Sequence, residues 1–458
     1  MENNIILDVD SYKLSHFLQY PPNTKFVSSY IEARKKDAKT LFFGTQMVLQ
    51  KYLAKPFSLA DILEADSVAT MHGLPFNKDG WLKMYEKYKG FFPIRIEAVE
   101  EGSVIPSGNV LLQVVNTDPE FFWITSYVET LLLRAIWYPT TVATKSYEIK
   151  QLLLNAHSIT SDSPVESVLF KLHDFGARGV SSRESAEIGG CAHLVNFRGS
   201  DTLSGILAAR KYYDSEMAGF SIPAAEHSTI TSWGKNAEKE AYDNMLTNFA
   251  KPGSLVAVVS DSYDIYNAVE NIWGRQLKQK VIDSGATVVI RPDSGDPTVV
   301  PIQVITMLTK SFGYTVNSKG YKVLPSSVRV IQGDGINGNS ITKIVNNMIA
   351  AGLSIDNLAF GMGGGLLQEL SRDTLDFAMK CSAANINDRW VDVYKNPVTS
   401  KAKESKKGKL ALIKEDGVYK TISINDLNNR ENLLKVVFEN GEIVNTTNFE
   451  KIRQLSEM

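Results

Sequence analysis

The chain has 458 residues, enough for two or three domains, with 43% hydrophobic and 22% charged residues and a formal net charge of -2. That near balance gives no global attraction to nucleic acid, so any phosphate binding has to be local. Cys191 and Cys381 are the only cysteines, which excludes a disulfide framework or a cysteine zinc site and fits a reducing, cytoplasmic compartment.

In chain order, Met1 to Asp10 carries acids and no long apolar run, so a signal peptide is not expected. No segment approaches the roughly 18 apolar residues of a membrane span. Ile94 to Val115 alternates apolar and polar residues around Gly102, Pro106 and Gly108, which predicts strands. Phe121 to Tyr138, interrupted by Glu129 and Arg134, predicts a buried helix capped by Asp118, opened by Pro119 and ended by Pro139.

From Leu169 onward the grammar changes. Short apolar runs at Leu169 to Leu172, Leu194 to Phe197, Leu255 to Val259, Thr287 to Ile290, Val328 to Ile331 and Leu358 to Phe360 each lead into Gly, Asp or Arg and then into a helical pattern. Such alternation predicts βα units and a parallel sheet, here an irregular α/β barrel-like domain over residues 151–384. Ile265, Ala268, Val269, Ile272 and Trp273 mark one helix face, and Ile341, Ile344, Val345, Met348 and Ile349 another. Lys401 to Lys409 reads as a basic surface loop. Asp416-Gly417 and Asn440-Gly441 predict hairpins. Residues 1–150 and 385–458 are therefore expected to pair into one antiparallel β-rich domain with helices.

In a parallel α/β fold the functional groups gather at the carboxyl ends of the strands. A single Asp after a strand is usually a helix cap, but six polar clusters in order point to a site. Gly363-Gly364-Gly365, entering a helix, offers N–H groups to a phosphate, or is simply a flexible turn. Arg372 and Lys380, further along, are solvated surface groups or additional contacts to the same anion. Asp261, Asp293 and Asp334 each follow a strand and suit ribose hydroxyls or a Mg²⁺ carried by a polyphosphate. Arg291 supplies a counter-charge, or a structural pair with Asp293. None of the histidines has zinc-ligand spacing. His227, beside Glu226 in the small-residue run Ser221 to Thr229, is either a satisfied core or capping histidine or a nucleophile that accepts a phosphoryl group.

Longer strings carry a resemblance. Asp10 to Lys13, Gln19 to Thr24, His173 to Gly176, Arg178 to Ser182, Pro223 to Thr229, Ser260 to Asn267, Arg291 to Gly295, Val330 to Gly335 and Gly363 to Gln368 closely resemble the nicotinamide phosphoribosyltransferase family of type II phosphoribosyltransferases. The match covers nearly the whole chain. It implies an enzyme that makes nicotinamide mononucleotide and pyrophosphate from nicotinamide and phosphoribosyl pyrophosphate in NAD salvage. Mg²⁺ and ATP are implied, with no tightly bound organic cofactor and no nucleic-acid or membrane partner. A homodimer with shared active sites is also implied, the β-rich domain contributing to its interface.

Carried over residue by residue, the resemblance stacks the pyridine ring between Phe175 and the partner subunit's Tyr12. Asp201 accepts the amide N–H and repels the carboxylate of nicotinate, while Arg291 and Ser221 address the amide from other sides. Asp293, Gly333 and Asp334 meet the ribose. Gly363, Gly364 and Arg178, with Arg372 and Lys380 of the partner subunit, meet the 5′-phosphate. Asp261 lies near the Mg²⁺-bound pyrophosphate, and Lys395 and Lys403 contact phosphate. His227 is phosphorylated by ATP, with Glu226 beside it. Ala177, Ala257 and Met362 depart from the vertebrate pattern, which has Tyr, Ser and Ser there. The alternatives are a nicotinate phosphoribosyltransferase, against which Asp201 argues, and a non-catalytic nucleotide-binding protein, against which His227, Arg291 and Asp293 argue.

Overall fold

The computed structural model describes residues 4–398 and 405–458, so the expectation placed on Lys403 lies outside the described residues. Two compact units divide the chain. One is Met1–Thr144, Ala208–Ser215 and Leu370–Met458; the other is Lys145–Leu207 and Glu216–Glu369.

The first unit is organised by a seven-stranded antiparallel sheet. Its order is Arg389–Asp392, Ala378–Ile386, Thr24–Glu32, Val110–Asn116, Ile94–Ala98, Lys435–Glu439 and Glu442–Ile443. The two chain ends thus pair as expected. The boundary lies earlier than residue 385, because Ala378–Ile386 is hydrogen-bonded to Thr24–Glu32 and carries Leu370 onward into this unit. Both hairpin signals are present. Asp416 and Gly417 have φ of 48° and 79°, and Asn440 and Gly441 have 51° and 96°, the two consecutive positive values that a tight right-twisted hairpin requires.

Asp118 caps as expected, its carboxylate accepting the Glu120 N–H at 3.0 Å. Pro139 does not end the helix, which runs continuously over Glu129–Thr160. The proline ring packs on Gly44, where a Cβ would come within 2.5 Å of it. The hydroxyls of Thr141 and Thr144 donate to the carbonyls of Trp137 and Thr140. Tertiary packing and local hydroxyl bonds override the proline signal here.

The second unit holds a six-stranded parallel sheet in the order Gly199–Ser200, Leu172–Asp174, Leu358–Met362, Val328–Gln332, Thr287–Arg291 and Leu255–Val259. Four of the six strands lie where the apolar runs predicted them. Leu169 to Leu172 instead enters a 3₁₀ turn, Val165–Phe170, and the strand begins at Leu172. Leu194 to Phe197 is the turn that follows the helix Arg183–His193, and the short strand follows at Gly199. Buried on nearly every position, these strands read as continuous Val/Ile/Leu runs because helices flank a parallel sheet.

The sheet curls, and one irregular segment joins its edges. Phe220 exchanges hydrogen bonds with the Gly199 edge, through Phe220 N to Arg198 O at 2.7 Å and Ser200 N to Phe220 O at 3.0 Å. Ala225 N donates to Ala257 O and Ala257 N to Pro223 O, both at 2.9 Å, on the opposite edge. Inside the ring, Ala257, Val289 and Ile331 pack with Phe175, Ile222 and Ala359. Burying each larger aliphatic side chain contributes about 1.5–3 kcal/mol.

Outside the ring, a Cβ on Gly205 would lie 2.5 Å from the Gly190 carbonyl carbon and 2.7 Å from Cys191 N. The neighbouring atoms are backbone and have no rotamer to change. Gly205→Ala is expected to destabilise the protein by about 1–3 kcal/mol through overpacking, measured by urea unfolding, whereas Gly338→Ala, where the added methyl meets nothing, serves as the reference.

Candidate active site

The carboxyl ends of the parallel strands bring the predicted groups of the second unit together. At the end of Leu172–Asp174, the Phe175 N–H continues the ladder by donating to Met362 O at 3.0 Å. The chain then turns because Asp174 Oδ1 accepts the Gly176 N–H at 2.7 Å. The Phe175 ring rests on neighbouring backbone: a Cβ on Gly361 would lie 1.9 Å from it, and one on Gly333 would lie 3.4 Å away. The Arg291 guanidinium carbon stands 5.6 Å from the ring centroid, within cation–π range.

Arg291 directs its fork onto Asp293 Oδ1, with Nε at 3.1 Å and Nη2 at 2.6 Å. Asp293 Oδ2 lies 3.9 Å from His227 Nδ1. His227 Nε2 is 3.0 Å from Asp261 Oδ1, which makes Nε2 the donor to a carboxylate. The other oxygen of Asp261 accepts the Asp293 N–H at 3.0 Å and the Ser294 hydroxyl at 2.5 Å. The Asp261 side chain is 4% exposed while that of His227 is 46% exposed. A buried carboxylate thus orients a ring whose other face is open.

Three placements refine the expectations. Glu226 lies next to His227 in sequence, but its carboxylate accepts from the Ser228 hydroxyl, and Asp261 is the partner of the imidazole. Asp261 was also expected near a metal. Its oxygens are committed to three donors, and among the described residues no group of three His, Cys, Asp or Glu side chains is arranged to hold an ion. Asp334 is exposed beside Gly333, and Arg178 is exposed in the turn after Phe175.

On the rim, Ser221 donates to Asp201 Oδ1 at 2.5 Å, and the Asp201 N–H donates to Asp174 O at 3.0 Å. Gly363 and Gly364 are partly exposed, and a Cβ on Gly364 would meet nothing. The Gly176–Gly179 turn faces them, since a Cβ on Gly179 would lie 3.6 Å from Gly364. Of the departures, Ala257 lines the barrel interior, Met362 is buried and lends its carbonyl to Phe175, and Ala177 is exposed.

Tyr12, Arg372, Lys380 and Lys395 belong to the first unit. Tyr12 is exposed, and Lys13 beside it is paired with Glu129 at 2.7 Å. Arg372 pairs with Asp373 at 3.0 Å. Burial holds the Lys380 ammonium below the usual lysine range; Glu129 opposes this, and Arg34, Arg372 and Lys395 reinforce it. These four cations form a basic cluster within the first unit.

The model of the nicotinate phosphoribosyltransferase family matches residues 170–442, which include every strand end just described. The chain belongs to the nicotinate phosphoribosyltransferase family. A second model, the nicotinamide phosphoribosyltransferase N-terminal domain, matches residues 4–96. A nicotinamide phosphoribosyltransferase of Xanthomonas campestris is 51% identical over 98% of this chain and 97% of its own length. One of Acinetobacter baylyi is 31% identical over 97% and 95%. Among solved structures, a nicotinate-nucleotide pyrophosphorylase from Pyrococcus furiosus superposes with a TM-score of 0.63 at 17% identity, covering 100% of this chain and 96% of that one. Human nicotinic acid phosphoribosyltransferase gives 0.57 at 15% identity, covering 98% and 92%. These two likenesses concern the fold.

Within this family member, sequence reasoning missed two groups. Ser294 follows Asp293 and could have been suspected as a donor. Asp174 is wholly buried behind Phe175, and nothing in a short apolar run announces a carboxylate there. Burial pushes its carboxyl up to about 6, opposed by the bond from Gly176 and the proximity of the Thr202 hydroxyl and reinforced by the nearby Asp201 charge. A folded pKa raised above the unfolded value means that Asp174 supports stability below about pH 4 and that this support is lost as pH rises through about 6. The displacement corresponds to about 3 kcal/mol. Asp174→Asn keeps an acceptor for Gly176 and carries no charge. Urea unfolding at pH 4 and pH 7 should show the variant gaining about 2 kcal/mol on the wild type over that interval.

Proposed function

We propose that this phosphoribosyltransferase acts on nicotinamide, joining its ring nitrogen to the anomeric carbon of phosphoribosyl pyrophosphate and releasing pyrophosphate with the electrons of the broken C–O bond. The observation that carries this reading is the Phe175 ring, seated on backbone, with the Asp201–Ser221 pair at its rim. That combination suits a flat ring bearing an amide. The naming of the Xanthomonas and Acinetobacter relatives supports the same substrate.

Nicotinate fits less well for two reasons. Asp201 repels a carboxylate, and the fork of Arg291 is already satisfied by Asp293 instead of standing free for an incoming acid. In this reading Asp293 and Asp334 meet the ribose, and Gly363, Gly364 and Arg178 the 5′-phosphate. The partner subunit's Tyr12 covers the ring, and Arg372, Lys380 and Lys395 of the partner subunit complete the phosphate shell. The basic cluster around Lys380 supports an anion-binding role for that face. The protein works as a cytoplasmic homodimer, and among the described residues no helix is long and apolar enough to cross a membrane. Mg²⁺ enters with the pyrophosphate, since Asp261 and Asp293 are engaged with protein donors.

ATP is the phosphoryl donor, to His227. With Nε2–H of His227 held by Asp261, the neutral ring keeps its lone pair at Nδ1. That nitrogen attacks the γ-phosphorus, forms a phosphohistidine and releases ADP. Asp261 positions the ring and stabilises the charge that develops on it, while Glu226 holds the first turn of the helix His227–Thr231 through Ser228.

Product analysis with nicotinamide and with nicotinate, each with phosphoribosyl pyrophosphate, tests the substrate. Nicotinamide mononucleotide is expected to dominate in the wild type, and Asp201→Asn is expected to narrow the ratio of kcat/KM values by about tenfold or more. A wild type that prefers nicotinate, or an unchanged ratio in the variant, refutes the assignment.

Incubation with γ-labelled ATP is expected to give acid-labile, base-stable label on His227, reduced to background in His227→Ala. Label that persists in that variant removes the histidine from the reaction.

A further inference from the structure

The glycine turn that receives phosphate in the reading above needs something to hold its backbone in place. Three successive glycines carry the largest backbone freedom of any such run, and the helix they enter, Gly364–Leu367, is a single turn. So short a helix has little cooperative stability and little dipole of its own. Packing accounts for part of the order: a Cβ on Gly365 would sit 2.7 Å from the Ile336 carbonyl oxygen. Leu366 N donates to Gly363 O at 3.0 Å, and the N–H groups of Gln368 and Glu369 both donate to Gly364 O at 2.8 Å. These bonds account for the carbonyls of Gly363 and Gly364 and leave that of Gly365 to be satisfied from elsewhere.

Lys145 satisfies it. Its ammonium donates to Gly365 O at 2.6 Å and to Glu369 O at 3.2 Å, clamping both ends of the segment that follows the turn. A lysine at this point of a long helix would ordinarily extend into water. This one is drawn inward, and burial lowers its proton affinity against the opposing charges of Glu369 and Glu148. A cation on the carbonyl side of a peptide turn reinforces the dipoles whose N–H ends face the other way.

We infer that Lys145 is a positioning residue for the phosphate-binding turn: its ammonium ties Gly365 O to Glu369 O and holds the amides of Gly363 and Gly364 where the 5′-phosphate of the sugar substrate sits. It touches no substrate itself. The inference rests on the proposed role of the turn, and it assigns to a helix residue far from the motif a share of the affinity for the sugar phosphate.

Steady-state kinetics on the full-length enzyme separate this role from a merely structural one. Lys145→Met, which keeps the aliphatic stem, is expected to raise KM for phosphoribosyl pyrophosphate about tenfold while changing KM for nicotinamide and kcat less than about twofold. Lys145→Arg, which keeps the charge and the donors, should recover most of that loss. If KM for phosphoribosyl pyrophosphate stays at the wild-type value in Lys145→Met, or both KM values rise together, the proposal is overturned. Should the Met variant fail to fold, Lys145→Gln, with a neutral donor, is read for the same split. Gly364→Ala separates the role of the turn from that of Lys145, because an added methyl meets no protein atom there and would occupy only space open to a ligand. If Gly364→Ala leaves KM for phosphoribosyl pyrophosphate unchanged, the phosphate role of the turn fails. If it raises that KM and Lys145→Met does not, only the role of Lys145 fails.

Discussion

The site of the second unit depends on the closure of its sheet. Six parallel strands supply the loops, but an open sheet of that size would leave Gly199 and Ala257 as unpaired edges whose loops could drift independently. The irregular segment from Phe220 to Ala225 bonds to both edges and makes the curl a ring. The same segment then carries Ser221 to the rim and delivers Glu226 and His227 immediately beyond the seam. One short stretch therefore serves both as closure and as the carrier of polar side chains to the strand ends. Its small residues and its proline suit that double use, since it runs as an extended strand of no regular sheet.

With the ring closed, charge is handled by reciprocal commitment. Arg291 is held by Asp293, Asp293 faces His227, His227 is held by Asp261, and Asp261 closes the circuit through the Asp293 amide and Ser294. Within this circuit, Asp261 and Asp293 are each engaged by protein donors. Such preorganisation means that little reorientation is required when charge develops, which is where electrostatic catalysis derives its strength. The His227 ring keeps an open face while the buried Asp261 carboxylate fixes its orientation.

How much of this could be read from the chain follows from the range of the interactions involved. The hairpins at Asp416-Gly417 and Asn440-Gly441 were legible because positive φ is a local demand with a local residue signature. The strands from Leu255 onward were legible because a doubly covered parallel strand is apolar at consecutive positions. Pro139 misled because its tolerance comes from Gly44, distant in sequence, and from threonine hydroxyls whose direction only the fold decides. Leu194 to Phe197 misled because an apolar run that follows a helix looks like a strand when its partners are unknown. At the site, the strings around Phe175, His227 and Arg291 located the groups, yet the partner of His227 was not legible. Adjacency suggested Glu226, whereas the strand ends bring Asp261 across. Asp174 and Lys145 were silent for the same reason: burial is a property of the folded chain.

The seat of the Phe175 ring carries a consequence for how such a pocket can change. Because the ring lies against Gly361 and Gly333 with no side chain between, its height is set by the hydrogen-bonded strands beneath it and not by any rotamer. The floor is effectively incompressible, and substitution there can only displace the ring, never retune it by degrees. In the proposed reading, discrimination among flat substrates therefore falls to the rim, where Asp201 and Ser221 present polar side chains instead of bare backbone. A family built this way would be expected to diversify its substrates from the edge of the pocket while its floor stays bare.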